Sequence, residues 1–243
     1  MKFLFVIPAR YASTRFPGKP LAVINGMSMI QRVYEQVGIA VNKLGNADVL
    51  VATDDERILS HVLGFGGKVV MTADSHPSGT DRVAEAANLV ADKPEVVINV
   101  QGDEPFIRPE QILQLAACFN NSETQIATLV KTIHTNDELT NTNVVKAVVD
   151  LSGRALYFSR SAIPFHRDTH EKVPQHKYLK HIGVYGFRFD VLQRLTQLDQ
   201  SPLERMESLE QLRWLENGYS IQTAITEYES VAIDHPDDLK KLN

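Results

Sequence analysis

Cysteine is nearly missing from this chain of 243 residues: Cys118 stands alone, so no intrachain disulfide can form. It sits in "EQILQLAACF", an apolar helical pattern, and reads as a small core residue rather than a nucleophile. Long apolar runs are missing too. None approaches the ~18 residues of a membrane span, and the N-terminal run is too short for a signal peptide and lacks a cleavage pattern. The expectation is a protein of a reducing cytoplasm with no membrane partner. A basic surplus is absent: 25 Lys and Arg face 30 Asp and Glu, a net charge of −5. That argues against a general nucleic-acid surface and leaves room only for a local basic pocket. Neither G-x-x-x-x-G-K-[ST] nor G-x-G-x-x-G occurs, nor do H-E-x-x-H and G-x-S-x-G. The missing dinucleotide fingerprint counts against a nicotinamide oxidoreductase. There is no internal repeat and no low-complexity linker.

What is present is alternation. "FLFVIP" and "DVLVAT" read as buried strands, "KVVMT" as strand-like and "EVVINV" as another strand. Between them, "SMIQRVYEQVGIAV", "DDERILSHVLGFGG" and "SGTDRVAEAANLVA" carry helical spacing and end signals. Strand and helix in turn predict a mostly parallel sheet covered on both faces. Ligands of such sheets bind beyond the carboxyl ends of the strands. Those ends carry "PAR", "ATDD", "MTADSHPSGTDR" and "VQGDEP". The second half is richer in strand candidates: "QIATLVKTI", "NVVKAVVD", "RALYFSR" and "YLKHIGVYGF". They suggest an antiparallel extension or lobe, the lobe lying within 143–189. "PLERMESLEQLRWLENG" reads as one helix, "SVAID" as a strand and "HPDDLKKL" as a closing helix. The hydrophobic share of 43% supports one domain over 1–243 with a lobe.

Four stretches could carry chemistry. "ARYASTRFPGKP" places Arg10, Arg15 and Lys19 in one loop after the first strand, either a solvated basic loop or a phosphate-binding one. Asp103 in "VINVQGDEP" is a turn residue or a hard-metal ligand. Asp234 in "SVAIDHPDDL" is a helix cap or a second such ligand. In "SHPSGTDRV", Ser75, Ser78 and Thr80 suit helix capping, while a helix N-terminus with Arg82 nearby also suits an anion. His181, in a strand, is structural or functional. The apolar residues Val145, Val149, Leu156, Phe158, Ile163, Phe165, Ile182, Val184 and Phe187 are expected to leave a patch that a two-fold interface covers; packing under the sheet is the alternative.

Taken in order, "IPARYASTRFPGKPL", "VATDDERI", "SGTDRV", "VINVQGDEPFI", "ALYFSRSAIPF", "KHIGVYGFR", "PLERMESLEQLRWLENG" and "IDHPDDL" resemble the 3-deoxy-manno-octulosonate (Kdo) cytidylyltransferases, or CMP-Kdo synthetases. The resemblance covers nearly the whole chain. It implies a nucleotide-diphospho-sugar transferase-like α/β fold with a small dimerisation lobe. The implied reaction joins CTP and Kdo to give CMP-Kdo and pyrophosphate, for lipopolysaccharide synthesis. By the same resemblance Arg10 and Lys19, with Arg15 in the same loop, grip the triphosphate. Asp103 and Asp234 hold Mg²⁺. Residues 75–82, among them Ser78, Gly79 and Arg82, and Gln101 meet the nucleotide, Gln101 also the sugar. Arg160, His181, Tyr185 and Glu210 line the sugar site, with Arg160 facing the sugar carboxylate. The segment "FHRDTHEKVPQHKYLK" departs from the family pattern. It leaves open a related sugar acid, such as 8-amino-Kdo or a sialic acid. A non-catalytic nucleotide sensor is a further alternative, disfavoured by the paired acids.

Overall fold

The first apolar run forms a strand, β1 (Phe3–Ala9), with neighbours on both edges. A computed structural model of the chain describes residues 1–12, 16–167, 178–229, 233 and 238. After β1 comes a loop, then a two-strand hairpin, β2 (Val23–Ile24) and β3 (Met27–Ser28). Helix α1 (Met29–Leu44) starts where the Ser28 hydroxyl accepts from the Gln31 amide. It stops at Gly45, whose left-handed backbone (φ 74) suits glycine. Next follow β4 (Ala47–Thr53), α2 (Glu56–Gly64), β5 (Val69–Met71), α3 (Gly79–Leu89), β6 (Val96–Asn99) and α4 (Pro109–Ala117). The second half comprises β7 (Ile126–Thr132), α5 (Asn136–Thr140), β8 (Lys146–Val149), β9 (Ala155–Ser159), β10 (Leu179–Arg188), α6 (Phe189–Leu195), α7 (Pro202–Glu207), α8 (Gln211–Glu216) and β11 (Ile221–Ile225).

Among the described residues the main sheet runs β11-β7-β10-β6-β1-β4-β5, with β8 and β9 attached beside β10. Neighbours along this path pair in parallel except where β10 meets β6 and β7. Helices cover both faces. Ile30, Val33 and Val37 of α1 and Ile112 and Leu115 of α4 pack on one. Val83 and Ala87 of α3, Leu192 of α6 and Trp214 of α8 pack on the other. The mostly parallel layered sheet is therefore as expected.

Three expectations change. The second half extends the main sheet rather than forming a separate antiparallel lobe: β7 and β11 run in the same direction as β6, β10 lies antiparallel between β6 and β7, and β8 and β9 carry the antiparallel pairing on from β10. "PLERMESLEQLRWLENG" is not one helix, because Ser208 turns left-handed (φ 51) and separates α7 from α8. The apolar patch is mostly core: Phe158, Ile182, Val184 and Phe187 are buried in the single chain, and Val145 and Val149 pack partly against them. Phe158 and Phe187 lie in the layer under α6 and α8, and Ile182 and Val184 in the layer under α1 and α4, which a linear reading did not place there. Leu156 and Phe165 do remain exposed, 59% and 86%. The expected strand "SVAID" and closing helix fall largely outside the described residues.

Candidate functional site

The reversal of β10 sets the site. Tyr185 pairs with Asn99, the last residue of β6, so Leu179–Val184 run on past the carboxyl edge of that strand. The first half of β10 thus stands where the parallel strands end, which is where such sheets bind ligands.

On the β1 side of this edge lies an open cleft of about 390 Å³. Arg10, Lys19, Gly79, Gln101, Gly102 and Asp103 line it, so five residues read from sequence as ligand-binding meet there. The Lys19 ammonium donates to Asp103 Oδ2 at 2.7 Å and to the Ile233 carbonyl at 3.0 Å. Arg10 Nη2 donates to the His76 carbonyl at 2.9 Å, tying the loop before α3 to the end of β1. Two glycines are sterically required here. A Cβ on Gly102 would lie 2.8 Å from the Pro8 carbonyl oxygen, and Gly18 has φ 70 with the Tyr11 ring against it. The Gly18 amide also donates to the Tyr11 carbonyl, and Arg57 stacks on the Tyr11 ring 3.3 Å from its centroid. That stack anchors the loop to α2. Arg15 and Asp234 lie outside the described residues. Ile233, the residue before Asp234, donates its amide to the Asp103 carbonyl.

Arg82 is a correction. Its side chain is fully buried, with its guanidinium donating to Asp54 and to the Thr72 hydroxyl. It clamps α3 to the ends of β4 and β5 and does not line the cleft. Any effect on a nucleotide passes through the loop before α3. Ser78 caps α3, its hydroxyl accepting from the Asp81 amide at 3.2 Å. It shares a second depression of about 460 Å³ with Glu204, Ser208, Glu210 and Arg213.

The remaining residues gather on the same face as α3. Glu210 accepts from the Thr80 hydroxyl at 2.7 Å. Burial pushes the Glu210 carboxyl up, while hydrogen bonds from Thr80 and Ser78 act the other way. Tyr185 packs edge-on against Trp214, and burial with the nearby Glu210 charge pushes its phenol well above the usual range. The His181 ring lies 5.1 Å from that of Tyr185 and 5.2 Å from Phe158. Burial pulls the imidazole down to about 3, so it is neutral at physiological pH. Arg160 is framed by carbonyls: Nε donates to Glu207, Nη1 to Thr142 and Nη2 to Ser208. Carbonyls orient the guanidinium without neutralising its charge.

Three positioning groups were not found from sequence. Thr128 fills a bulge where the β10 register against β7 shifts between Ile182 and Tyr185. Its hydroxyl lies 2.7 Å from the Val184 carbonyl and 2.9 Å from His181 Nε2. A hydroxyl that donates to Val184 accepts from His181, which places the imidazole proton on Nε2 and leaves Nδ1 an acceptor. Glu207 accepts from the Arg160 amide and the Ser159 hydroxyl. Lys146, fully buried, donates to the carbonyls of Asn141, Val144 and Arg160. Apart from the local Lys146 bonds to Asn141 and Val144, these contacts join residues distant in sequence or across a bulge, so no local motif announces them. Cys118 is partly buried with its thiol pushed up by burial, consistent with a packing role.

The cytidylyltransferase family model matches residues 4–224. The 3-deoxy-manno-octulosonate cytidylyltransferase of Parabacteroides distasonis is 54% identical over 99% of this chain and 96% of its own length. That of Bacteroides thetaiotaomicron is 55% identical over the same shares. A solved CMP:2-keto-3-deoxy-manno-octonic acid synthetase complexed with CTP superposes with a TM-score of 0.91 at 43% identity, covering 100% of this chain and 97% of that one. A 4-diphosphocytidyl-2C-methyl-D-erythritol synthase from Anaerococcus prevotii, 13% identical with a TM-score of 0.64, shares the fold alone. With a family model spanning most of its length and relatives more than half identical from end to end, this chain belongs to the 3-deoxy-manno-octulosonate cytidylyltransferase family.

Proposed function

We propose that the chain transfers the cytidylyl group of CTP to Kdo, releasing pyrophosphate. The observation that carries this reading is the cleft where Arg10, Lys19, Gln101 and Asp103 converge, in a fold that superposes on a CTP-bound synthetase. The anomeric hydroxyl oxygen of the sugar acid attacks the α-phosphorus. An O–P bond forms, the bond to the β-phosphate oxygen breaks, and the hydroxyl proton passes to solvent. The chain has to align the attacking and leaving oxygens and offset charge on the departing pyrophosphate. Arg10 and Lys19 carry the cations for the second task, with Arg15 in the same loop. Gln101 stands between nucleotide and sugar. Arg160, His181, Tyr185 and Glu210 hold the sugar acid, with the Arg160 fork facing its carboxylate.

The donor set fits Mg²⁺. Asp103 presents a hard oxygen at the open cleft, and the amide of Ile233 ties the residue before Asp234 to it. Among the described residues no group of three or more His, Cys, Asp or Glu forms a cage. Mg²⁺ does not need one, since it keeps waters and shares substrate phosphates. Asp103 and Asp234 would hold the ion, which supplies charge neutralisation at the phosphates. Lys19 would then leave Asp103 Oδ2 for a phosphate oxygen. We further propose a homodimer formed through the β8–β10 region, where Leu151, Leu156 and Phe165 are exposed. The setting proposed is the cytoplasm and lipopolysaccharide synthesis; among the described residues no helix is long and apolar enough to cross a membrane.

Pyrophosphate release with CTP against Kdo, 8-amino-Kdo and a sialic acid tests the reading. Release only with Kdo supports it, release only with another acid reassigns the sugar, and no release with any overturns it. UTP should be rejected, because a site built for the cytosine amino donor leaves polar groups unpaired against uracil.

A further inference from the structure

Asn99 ends β6, and Tyr185 lies directly across from it on β10. Opposed residues of an antiparallel pair project to one face with Cβ atoms ~4.5–5.5 Å apart. Asn99 is 2% exposed and Tyr185 8%. Yet among the described residues neither Asn99 Oδ1 nor Tyr185 Oη has a hydrogen-bond partner. Native interiors pair nearly all such groups, because an orphaned polar atom lowers stability. Two orphans side by side at a ligand edge therefore call for a functional reason.

Their position supplies one. Val97 and Tyr185 belong to the core layer that also holds Val83, Leu212 and Trp214, so alternation puts the Asn99 side chain on the face of α3 and α8. The Thr80–Glu210 hydrogen bond spans that face. Two residues beyond Asn99, Gln101 enters the phosphate cleft. Asn99 thus sits between the cleft and the sugar residues. An amide offers a donor and an acceptor, and a phenol offers both from one oxygen. An alcohol hydroxyl, itself donor and acceptor, complements the two together.

We propose that Asn99 is a specificity-determining residue for the sugar acid, its amide and the Tyr185 hydroxyl forming a floor that reads a sugar hydroxyl. This rests on the cytidylyltransferase reading above.

Asn99→Leu and Asn99→Ala test it in the full chain, by thermal melting without ligand and by separate KM values for CTP and Kdo. Removing an orphaned amide oxygen should leave the Leu variant melting at or above the wild type. The KM for Kdo should rise about tenfold or more while that for CTP stays. The wild type should reject a Kdo analogue lacking the hydroxyl that the floor reads, and the Leu variant should narrow that gap. Lower melting in both variants would make the amide structural and overturn the proposal. So would an unchanged KM for Kdo, or a rise confined to CTP. A wild type that releases no pyrophosphate from CTP with any sugar acid would remove the functional reading and this proposal with it. An active wild type with an unaffected variant removes the proposal alone.

Discussion

On the proposed reading, Lys19 must exchange its present bonds when a triphosphate arrives. Its ammonium is shared between Asp103 and the Ile233 carbonyl, and its side chain is only 15% exposed. The sequence placed it in an exposed loop, so Lys19→Ala should do two things instead of one. Turnover should fall by roughly two to three orders of magnitude, the scale of losing one charged donor, and the melting temperature should also drop slightly. Asp103→Asn should lose comparable turnover with little change in circular dichroism, and EDTA should reproduce its effect. Full activity in Asp103→Asn, or in EDTA, would remove the metal assignment. His181 adds a pH signature. Its folded value is about 3 against an ordinary 6.5, so between these limits the unfolded chain binds a proton that the folded chain does not. That contribution to stability is full above about pH 6.5 and is lost as pH falls toward 3. Denaturant melts at pH 7.5 and 5 should show a larger acid loss in the wild type than in His181→Asn. Arg82 shows why residues are hard to assign from sequence. A cation beside a helix N-terminus is a sound anion signal, but the fold buries it against Asp54. Burial is a property of the packed chain, not of the motif.

At the scale of elements, the break between α7 and α8 matters most to the site. It turns the carbonyls of Glu207 and Ser208 toward Arg160 and lets Glu210 reach Thr80. Helical spacing runs unbroken through "PLERMESLEQLRWLENG", and neither Gly nor Pro marks the kink, so the sequence gives no warning. Ser208 takes a left-handed conformation that residues other than Gly, Asn and Asp rarely adopt. Ser208→Gly should keep activity and melt no lower than the wild type. Ser208→Val should lose about 1–2 kcal/mol in denaturant melts and raise the KM for the sugar acid. By contrast β1, β4, α1 and α3 were legible from alternation and caps, because each is fixed by its own residues. The reversed insertion of β10 between β6 and β7 was not, since strand order depends on pairing over long sequence distances.

For the whole molecule, burial of Phe158, Ile182, Val184 and Phe187 in one chain weakens the sequence argument for pairing and narrows it to Leu156 and Phe165, to which the structure adds Leu151, exposed in the turn between β8 and β9. Sedimentation at micromolar concentration should still give about twice the chain mass of 27.2 kDa. Leu156→Asp should shift it toward the monomer, whereas a wild type that sediments as a monomer would remove the interface. The reversed strand has one more consequence. Because Tyr185–Phe187 of β10 lie between β6 on one edge and β7 on the other, their amides are released only when the sheet as a whole comes apart. The loop of 73–78 is tied to its surroundings by side-chain bonds to Glu85 and Arg10. In deuterated water the Tyr185–Phe187 strand should stay dark for as long as global unfolding takes, and the 73–78 loop, proposed to meet the nucleotide, should label early. CTP should then slow labelling in the loop and leave the strand unchanged, so that one ligand meets a surface already set and the other completes its own.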